Sequence, residues 1–516
     1  MQQRTNNRGN TSVNYTLPAP IGGLNVRDSL DTMENTDAIV MDNYIPTETK
    51  VMLRKGYRSY ANLQHRIYTL AEFCKPAYNR LFAFGGGKVW NISSKEHIVE
   101  MAEGFANSQW QYCQFRDRLI LVNGHDTPQT FFIKDGQDCW QEAAFSGTNL
   151  EPNKLINICV SKQRLFFVEK GSLSFWYSQG VGEVQGTLVK FDLSSIFRRG
   201  GELMAIASWT QDAGQGVDDL TVFITSEGEV AVYSGSDPGD IDDWSLRGVY
   251  QMSRPIGYRC TLQYQGDVVI ISEDGYVPMS KALSLDKANI SQISFSDKIR
   301  GLVLERTQDG HNKFGWQGII YSRGGYAIFN VPVAQQFEQH VVNINSGAWC
   351  RFTNIRAFCW GMFEGRIYFG SDDSVFIFDE GYSDNGTHIL GQVEQAFSDL
   401  GNPNLKRIQL INPRTKSSTK YALVVYTNMD FENKNQAFAE NIGNIGITKW
   451  NEAKWSTLNK PIGTKWATLK GKIRSQWIGN SATGFKASVV FKTKTRGNLI
   501  EWFDTGFRYE QGCSIL

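Results

Sequence analysis

Along the first four hundred residues one hydrophobic pattern keeps returning: a polar pair, four or five apolar residues, a tight turn, then a second apolar run. NRLFAFGGGKVWNI (Asn79–Ile92) is the first clear case, followed by DRLILVNGHDTPQTFFI (Asp117–Ile133), QRLFFVEKGSLSFWY (Gln163–Tyr177) and LTVFITSEGEVAVYSG (Leu220–Gly235). Three more units are GDVVIISEDGYVPMS (Gly266–Ser280), WQGIIYSRGGYAIFNV (Trp316–Val331) and GRIYFGSDDSVFIFDEG (Gly365–Gly381). Their turns carry Gly-Gly, Asn-Gly, Lys-Gly, Glu-Gly, Asp-Gly and Asp-Asp, most of them pairs that readily reach the positive φ of a two-residue hairpin. Turn-to-turn spacing is about 40–60 residues, which leaves room for two flanking strands per unit, such as SQWQYCQFR (Ser108–Arg116). A four-stranded blade cannot bury both faces alone, whereas blades stacked in a ring can. The pattern predicts an all-β chain with a six- or seven-bladed β-propeller over residues 61–390; a two-sheet sandwich is the competing arrangement. The strand VMLRKGY (Val51–Tyr57) is placed to pair with the last hairpin and close the ring.

Beyond about residue 390 the period stops, and residues 391–516 read as a small β-sandwich of five or six strands. In FKASVVFK, Phe485, Ala487, Val489 and Phe491 alternate with Lys486, Ser488, Val490 and Lys492, the pattern of a half-buried strand with its lysines mostly on the wet face. The stretch 429–463, rich in Asn, Lys and Trp, reads as an inserted binding loop, with Trp450 and Trp455 as contact candidates and Trp466 nearby. Residues 1–60 form a leader in which DAIVMDNYIP (Asp37–Pro46) reads as an N-terminal clasp. There Asp42 and Asn43 suit a turn, and Pro46 stops the segment.

Charge changes this picture. The net charge of +1 conceals a division: residues 402–516 hold 18 Lys and Arg against 7 Asp and Glu, and the remainder carries a net −10. Lys465, Lys470, Lys472, Arg474, Lys486, Lys492, Lys494 and Arg496 fall on successive predicted strands, where they would make a field rather than isolated points. Such a field suits docking on an acidic face of a neighbouring copy, or phosphate contacts along DNA that read no sequence. No catalytic residue stands out. The six histidines are scattered without ligand spacing, and no nucleophile elbow, Walker loop or zinc-protease motif occurs, so neither metal nor cofactor is expected. SEDG (Ser272–Gly275) and SDDS (Ser371–Ser374) lack the aromatic closure of a sialidase aspartate box and read as solvated hairpin tips. The eight cysteines form no C-x-x-C and read as buried free thiols rather than disulfides or ligands. No run of eighteen apolar residues would span a membrane, and the leader has no apolar core of a secretory signal.

One resemblance adds to these readings. APIGGLNVRDSLDTMENTDAIVMDNYIPTETKVMLRKGY (Ala19–Tyr57) resembles the N-terminus of tail nozzle and hub proteins of short-tailed (podovirus-type) bacteriophages, akin to those described as stabilising packaged DNA. That family opens with Gly-Gly-Leu-Asn, Arg-Asp, an apolar-Asn-aromatic-apolar-Pro step and Arg-x-Gly-Tyr. QAFSDLGNPNLKRIQLINP (Gln395–Pro413) is similar to its propeller-to-sandwich junction, AKWSTLNKPIGTKW (Ala453–Trp466) to its Trp-rich segment, and LIEWFDTGFRYEQGCSIL (Leu499–Leu516) to its closing tail. The resemblance implies a structural virion protein made in the host cytoplasm and no enzyme. It further implies a homohexameric ring that meets the portal-adaptor, other tail proteins and fibres, and touches double-stranded DNA transiently during ejection. The alternative reading is a receptor- or glycan-binding propeller of a tail fibre.

Overall fold

The structure is a computed structural model and describes residues 12–512 except 77, 213–216, 265, 283–294, 335, 419–420 and 435–471. The chain forms two compact units that are not consecutive in sequence: residues 59–340 with 354–378, and residues 1–58 with 341–353 and 379–516.

The first unit is a β-propeller. All seven hairpins occur, six of them in self-contained sheets and the seventh, Gln317–Val333, in a nine-stranded sheet. Blade A comprises Ile67–Phe73, Arg80–Gly85, Lys88–Ser94 and His97–Glu103, and blade B comprises Gln111–Phe115, Arg118–Val122, Gln129–Lys134 and Gln137–Glu142. Blade C runs from Leu155–Ser161 to Gly186–Asp192, with Phe145–Ser146 added in parallel, and blade D from Leu203–Asp212 to Ser245–Gln251. Blade E is three-stranded (Thr261–Tyr264, Asp267–Ser272, Gly275–Pro278). Blade G holds Cys359–Phe363, Arg366–Gly370 and Ser374–Phe378. These six sheets are self-contained. Between E and G stand Gln317–Tyr321, Tyr326–Val333 and the strand Gln336–Asn343 up to His340, here called blade F.

Apolar clusters join neighbouring blades. Phe73, Phe82 and Phe131 meet between A and B, and Phe175 and Phe223 between C and D, with ring centroids 4.5 Å apart. Tyr276 stacks on Phe329 at 3.9 Å between E and F, and Trp360 of blade G donates its Nε1–H to Asn330 of blade F at 3.0 Å. The polar pair that opens most repeats has a structural reason. Its first member closes the tight turn behind the hairpin and its second opens the strand, as at Phe115↔Arg118, Ser161↔Arg164 and Phe363↔Arg366, where the preceding Arg116, Lys162 and Glu364 take positive φ. In blade A the hairpin turn itself needs glycine: Gly86 and Gly87 lie at φ 56° and 73°.

The ring is closed by an N-terminal strand, but not by VMLRKGY. Tyr57–Asn62 completes blade G, whereas Val51–Leu53 pairs with Tyr44–Pro46 and Glu501–Trp502 in the second unit. The run breaks at Arg54–Gly56, where Arg54 turns inward and Gly56 meets backbone so closely that an added Cβ would lie 1.9 Å from the Ser383 carbonyl oxygen. The acidic hairpin tips remain partly exposed, and some of their carboxylates are paired. Asp372 pairs with Arg66 at 3.1 Å and with Arg356, and Asp274 accepts from Ser253.

The second unit is a pair of facing sheets. One orders Lys472–Arg474, Lys406–Ser417, Ile500–Gln511, Val51–Leu53 and Tyr44–Pro46, with Ser12–Pro18 on Ile500–Gln511 and Ile478–Gly484 on Lys406–Ser417. The other orders Trp349–Phe352, Gly23–Leu24, Asp37–Asp42, Ile389–Gln395, Ala487–Thr495 and Ala422–Met429. Phe491 stacks on Trp502 at 4.6 Å, and Tyr44 donates to or accepts from Thr493 at 2.7 Å, which holds the sheets together. The leader expected as a separate clasp thus supplies strands to both sheets.

DAIVMDNYIP is the place where the chain changes sheet: Asp37–Asp42 belongs to one and Tyr44–Pro46 to the other, with Asn43 between them at φ 61°. Asn43 is buried and fully used. Its Oδ1 accepts from Arg54 Nε (2.7 Å) and Thr353 N (3.0 Å), and its Nδ2 donates to Thr353 Oγ1 and the Leu390 carbonyl (both 2.8 Å). Arg54 then forks onto both oxygens of Asp384 at 2.8 and 2.7 Å, a pair with side-chain exposures of 1% and 5%.

Candidate functional site

Two regions offer chemistry, one in each unit. In the sandwich unit the described basic candidates do not form one wet stripe. Lys472 and Arg474 lie on a strand of one sheet, and Lys492 and Lys494 on a strand of the other. Ala487–Thr495 is flanked on both sides by strands and buried along nearly its whole length, so it is not the half-buried strand that its alternation predicts. Lys492 is itself buried, its Nζ 5.9 Å from the Tyr426 ring centroid, while Phe485, expected inside, is 53% exposed. Lys486 holds Asp31 at 2.5 Å, and Arg474 Nε donates to Ser417 Oγ at 2.9 Å. Lys472, Lys494 and Arg496 are exposed. Burial, together with Lys494 and Arg496, lowers the His388 pKa, the mark of a locally positive surface. Lys465, Lys470, Trp450 and Trp455, with Trp466 and most of the 429–463 loop, lie outside the described residues.

Acidic groups in this unit are held by lysines. Glu501 is buried between Lys50 at 2.8 Å and Lys416 at 3.2 Å; burial alone would raise its pKa, but the two ammonium groups win and lower it from 4.5. A carboxylate with a depressed folded pKa contributes stability above its unfolded pKa and loses it as pH falls through the folded one. Urea unfolding between pH 3 and 7 is therefore expected to show Glu501→Gln less stable than the parent at neutral pH. Its stability should also fall less steeply below about pH 4.5.

In the propeller unit a cavity of about 490 Å³ opens among the loops of blades B to F. The helix Arg300–Gly310 delivers one wall. It ends at Gly310, whose carbonyl accepts from Trp316 Nε1 at 2.9 Å, and the segment His311–Trp316 lines the space. Arg259, just before blade E's first strand, spans to blades A and B: its Nη1 donates to the Tyr68 carbonyl (3.1 Å) and its Nη2 to Thr69 Oγ1 (2.7 Å) and the Trp110 carbonyl (2.9 Å). The guanidinium also lies over Phe314 at 5.1 Å. Burial lowers its pKa below the ordinary arginine value, opposed by neighbouring Cys359 and Tyr112. Sequence reasoning did not single out this residue. The signal was a lone cation in GYRCTLQY (Gly257–Tyr264), a run otherwise free of charge.

Among the described residues, no group of three or more His, Cys, Asp or Glu side chains is placed to hold a metal ion. Seven described cysteines are free thiols; Cys260, Cys350 and Cys359 are buried, the next three partly so, and Cys74 is exposed. Burial pushes the thiols of Cys159, Cys260 and Cys359 up to about 12, which leaves them protonated and poorly nucleophilic. A buried chain of Tyr276, His340, Glu338 and Arg306, linked at 2.8, 3.1 and 2.7 Å, has the look of a proton relay. Tyr276 and His340 are fully enclosed, however, so the chain presents no group to a substrate and reads as a satisfied core network. No helix among the described residues is long and apolar enough to cross a membrane.

No family model and no curated protein matches the chain. Among solved structures it is similar to a Bacteroides fragilis protein provisionally named a 6-phosphogluconolactonase, at 9% identity and a TM-score of 0.34, over 68% of this chain and 91% of that one. The strand topology itself establishes an all-β chain built on a β-propeller.

Proposed function

We propose that this chain is a structural subunit of the tail nozzle or hub of a short-tailed bacteriophage, assembling with further copies into a ring that retains and then conducts the genome. One observation carries the reading. Three segments that resemble that family, distant in sequence, are joined strand to strand in a single unit. Val51–Leu53 of the first pairs with Ile500–Gln511 of the last, which pairs with Lys406–Ser417 beginning in the junction segment. The shared motif residues are consumed in architecture: Asn43, Arg54 and Gly56 serve the hub around Asp384, and Asn25 donates to Asp37 at 2.7 Å. Residues used in this way mark a scaffold more than a reaction centre.

A closed ring needs heterologous contacts, in which one face meets a different face of the next copy, and the division between an acidic body and a basic extension suits that arrangement. Exposed Lys472, Lys494 and Arg496 would face a neighbouring subunit, the portal-adaptor or the phosphates of passing DNA. Weak, salt-dependent contacts suit a conduit, since tight binding would stall ejection. Light scattering after size exclusion and negative-stain imaging of disrupted virions are expected to show a ring with an open axial channel. The triple change of Lys472, Lys494 and Arg496 to Glu should impair assembly or genome retention. A stable trimer that binds polysaccharide would overturn the nozzle reading in favour of a fibre-type receptor binder.

A further inference from the structure

The cavity on the propeller gathers polar side chains that the fold does not use. Its volume of about 490 Å³ falls within the range of small-molecule sites. A second space of about 200 Å³ shares Gln111, Tyr258 and Arg259 with it and continues along the inner strands to Trp360. Four cations line the larger cavity (Lys170, Arg254, Arg259, Lys313) against two carboxylates, Glu227 and Glu273. Glu227 is taken by Arg254 at 2.8 Å, and Lys170 leans on His125 at 3.1 Å.

Arg259 is the unusual member. Three of its five N–H groups are used on neutral oxygens, which leaves Nε–H and one Nη1–H, and among the described residues no carboxylate reaches it. A half-buried guanidinium without a counter-ion is favourably met by an incoming anion. Lys313, Asn312, Gln109 and Gln111 make no side-chain hydrogen bond or ion pair with the described chain. Three free amides beside two uncompensated cations match a ligand that bears hydroxyl groups as well as negative charge.

We propose that this cavity binds a small hydroxylated anion, its carboxylate or phosphate held by Arg259 and Lys313 and its hydroxyls by Gln109, Gln111 and Asn312. The inference is independent of the nozzle assignment, since it uses only the propeller's own side chains. The test is calorimetric titration of the full chain at low ionic strength with glucuronate, inorganic phosphate and uncharged glucose. At least one anion is expected to bind ten-fold or more tightly than glucose, with binding weakened by added salt. Glucuronate and phosphate as separate arms tell which acid group the site prefers. Arg259→Gln and Lys313→Gln should each lower affinity at least ten-fold. Lys313 is exposed, so its variant decides the matter even if the Arg259 variant does not fold. Equal binding of glucose and both anions, no binding of any probe, or unchanged affinity in Lys313→Gln would each overturn the proposal.

Discussion

Replacing Arg54 with alanine is expected to destabilise the protein by about 3–5 kcal/mol, the loss seen when one partner of a buried ion pair is removed. Arg54 and Asp384 are almost completely enclosed, and their pairing is bidentate. Removing the guanidinium strands the Asp384 carboxylate and also takes away one of the two donors to Asn43 Oδ1, leaving only Thr353 N. The double change of Arg54 and Asp384 to apolar residues should recover part of the loss, because it removes the orphaned charge as well. Urea unfolding monitored by tryptophan fluorescence reads both effects. A loss below about 1 kcal/mol in the single variant would mean that Asp384 finds water or another partner, and the hub would no longer explain the motif.

Truncating Trp360 to alanine should be comparably severe in the propeller unit, about 3–5 kcal/mol for a large buried aromatic. Its ring is 1% exposed, packs edge-on against Phe378 at 5.5 Å and donates to Asn330 across the junction of blades F and G. Loss of the indole therefore removes apolar contact together with one of the two hydrogen bonds to the buried Asn330 Oδ1, which keeps Gln339 Nε2 at 2.9 Å. Trp360→Phe keeps most of the contact and should cost less than the truncation. Hydrogen exchange would show faster exchange concentrated in Cys359–Phe363 and Gln317–Tyr321. A uniform change across all blades would argue against a weakened junction.

The propeller was legible because each hairpin carries its own local signal, a two-residue turn between apolar runs, and seven such signals at a steady spacing leave few alternatives. Boundaries were less so. The polar pair looked like the head of each hairpin, yet its first member belongs to the preceding turn, which Arg116, Lys162 and Glu364 begin although they are not obvious left-handed formers. The closing strand was displaced because nothing local in VMLRKGY says that Arg54 has a partner 330 residues away. The same limit hid the interleaving of leader and C-terminal strands, since pairing such as Tyr15↔Phe507 leaves no periodic trace. FKASVVFK misled for a different reason. Lysines usually mark a wet face, but a long aliphatic stem lets Lys492 cross buried ground toward Tyr426, and Ser488 satisfies itself on the Gln395 carbonyl. Of the basic surface, Lys472, Lys494 and Arg496 were readable as exposed, whereas Arg259 was hidden among aromatics.

The closing strand has a consequence for how the molecule comes into being. Ser59–Asn62 leaves the ribosome early, but its partner Ser374–Phe378 is more than three hundred residues later. At translation rates of about 5–20 residues per second, the growing chain carries an unmatched strand for tens of seconds. Ser12–Pro18 waits longer still, for Asp504–Glu510. The propeller unit can therefore close only after Phe378 is made, and the second unit only after Ile500–Gln511 is made. Until then, the nascent chain exposes strand edges that invite pairing with other chains.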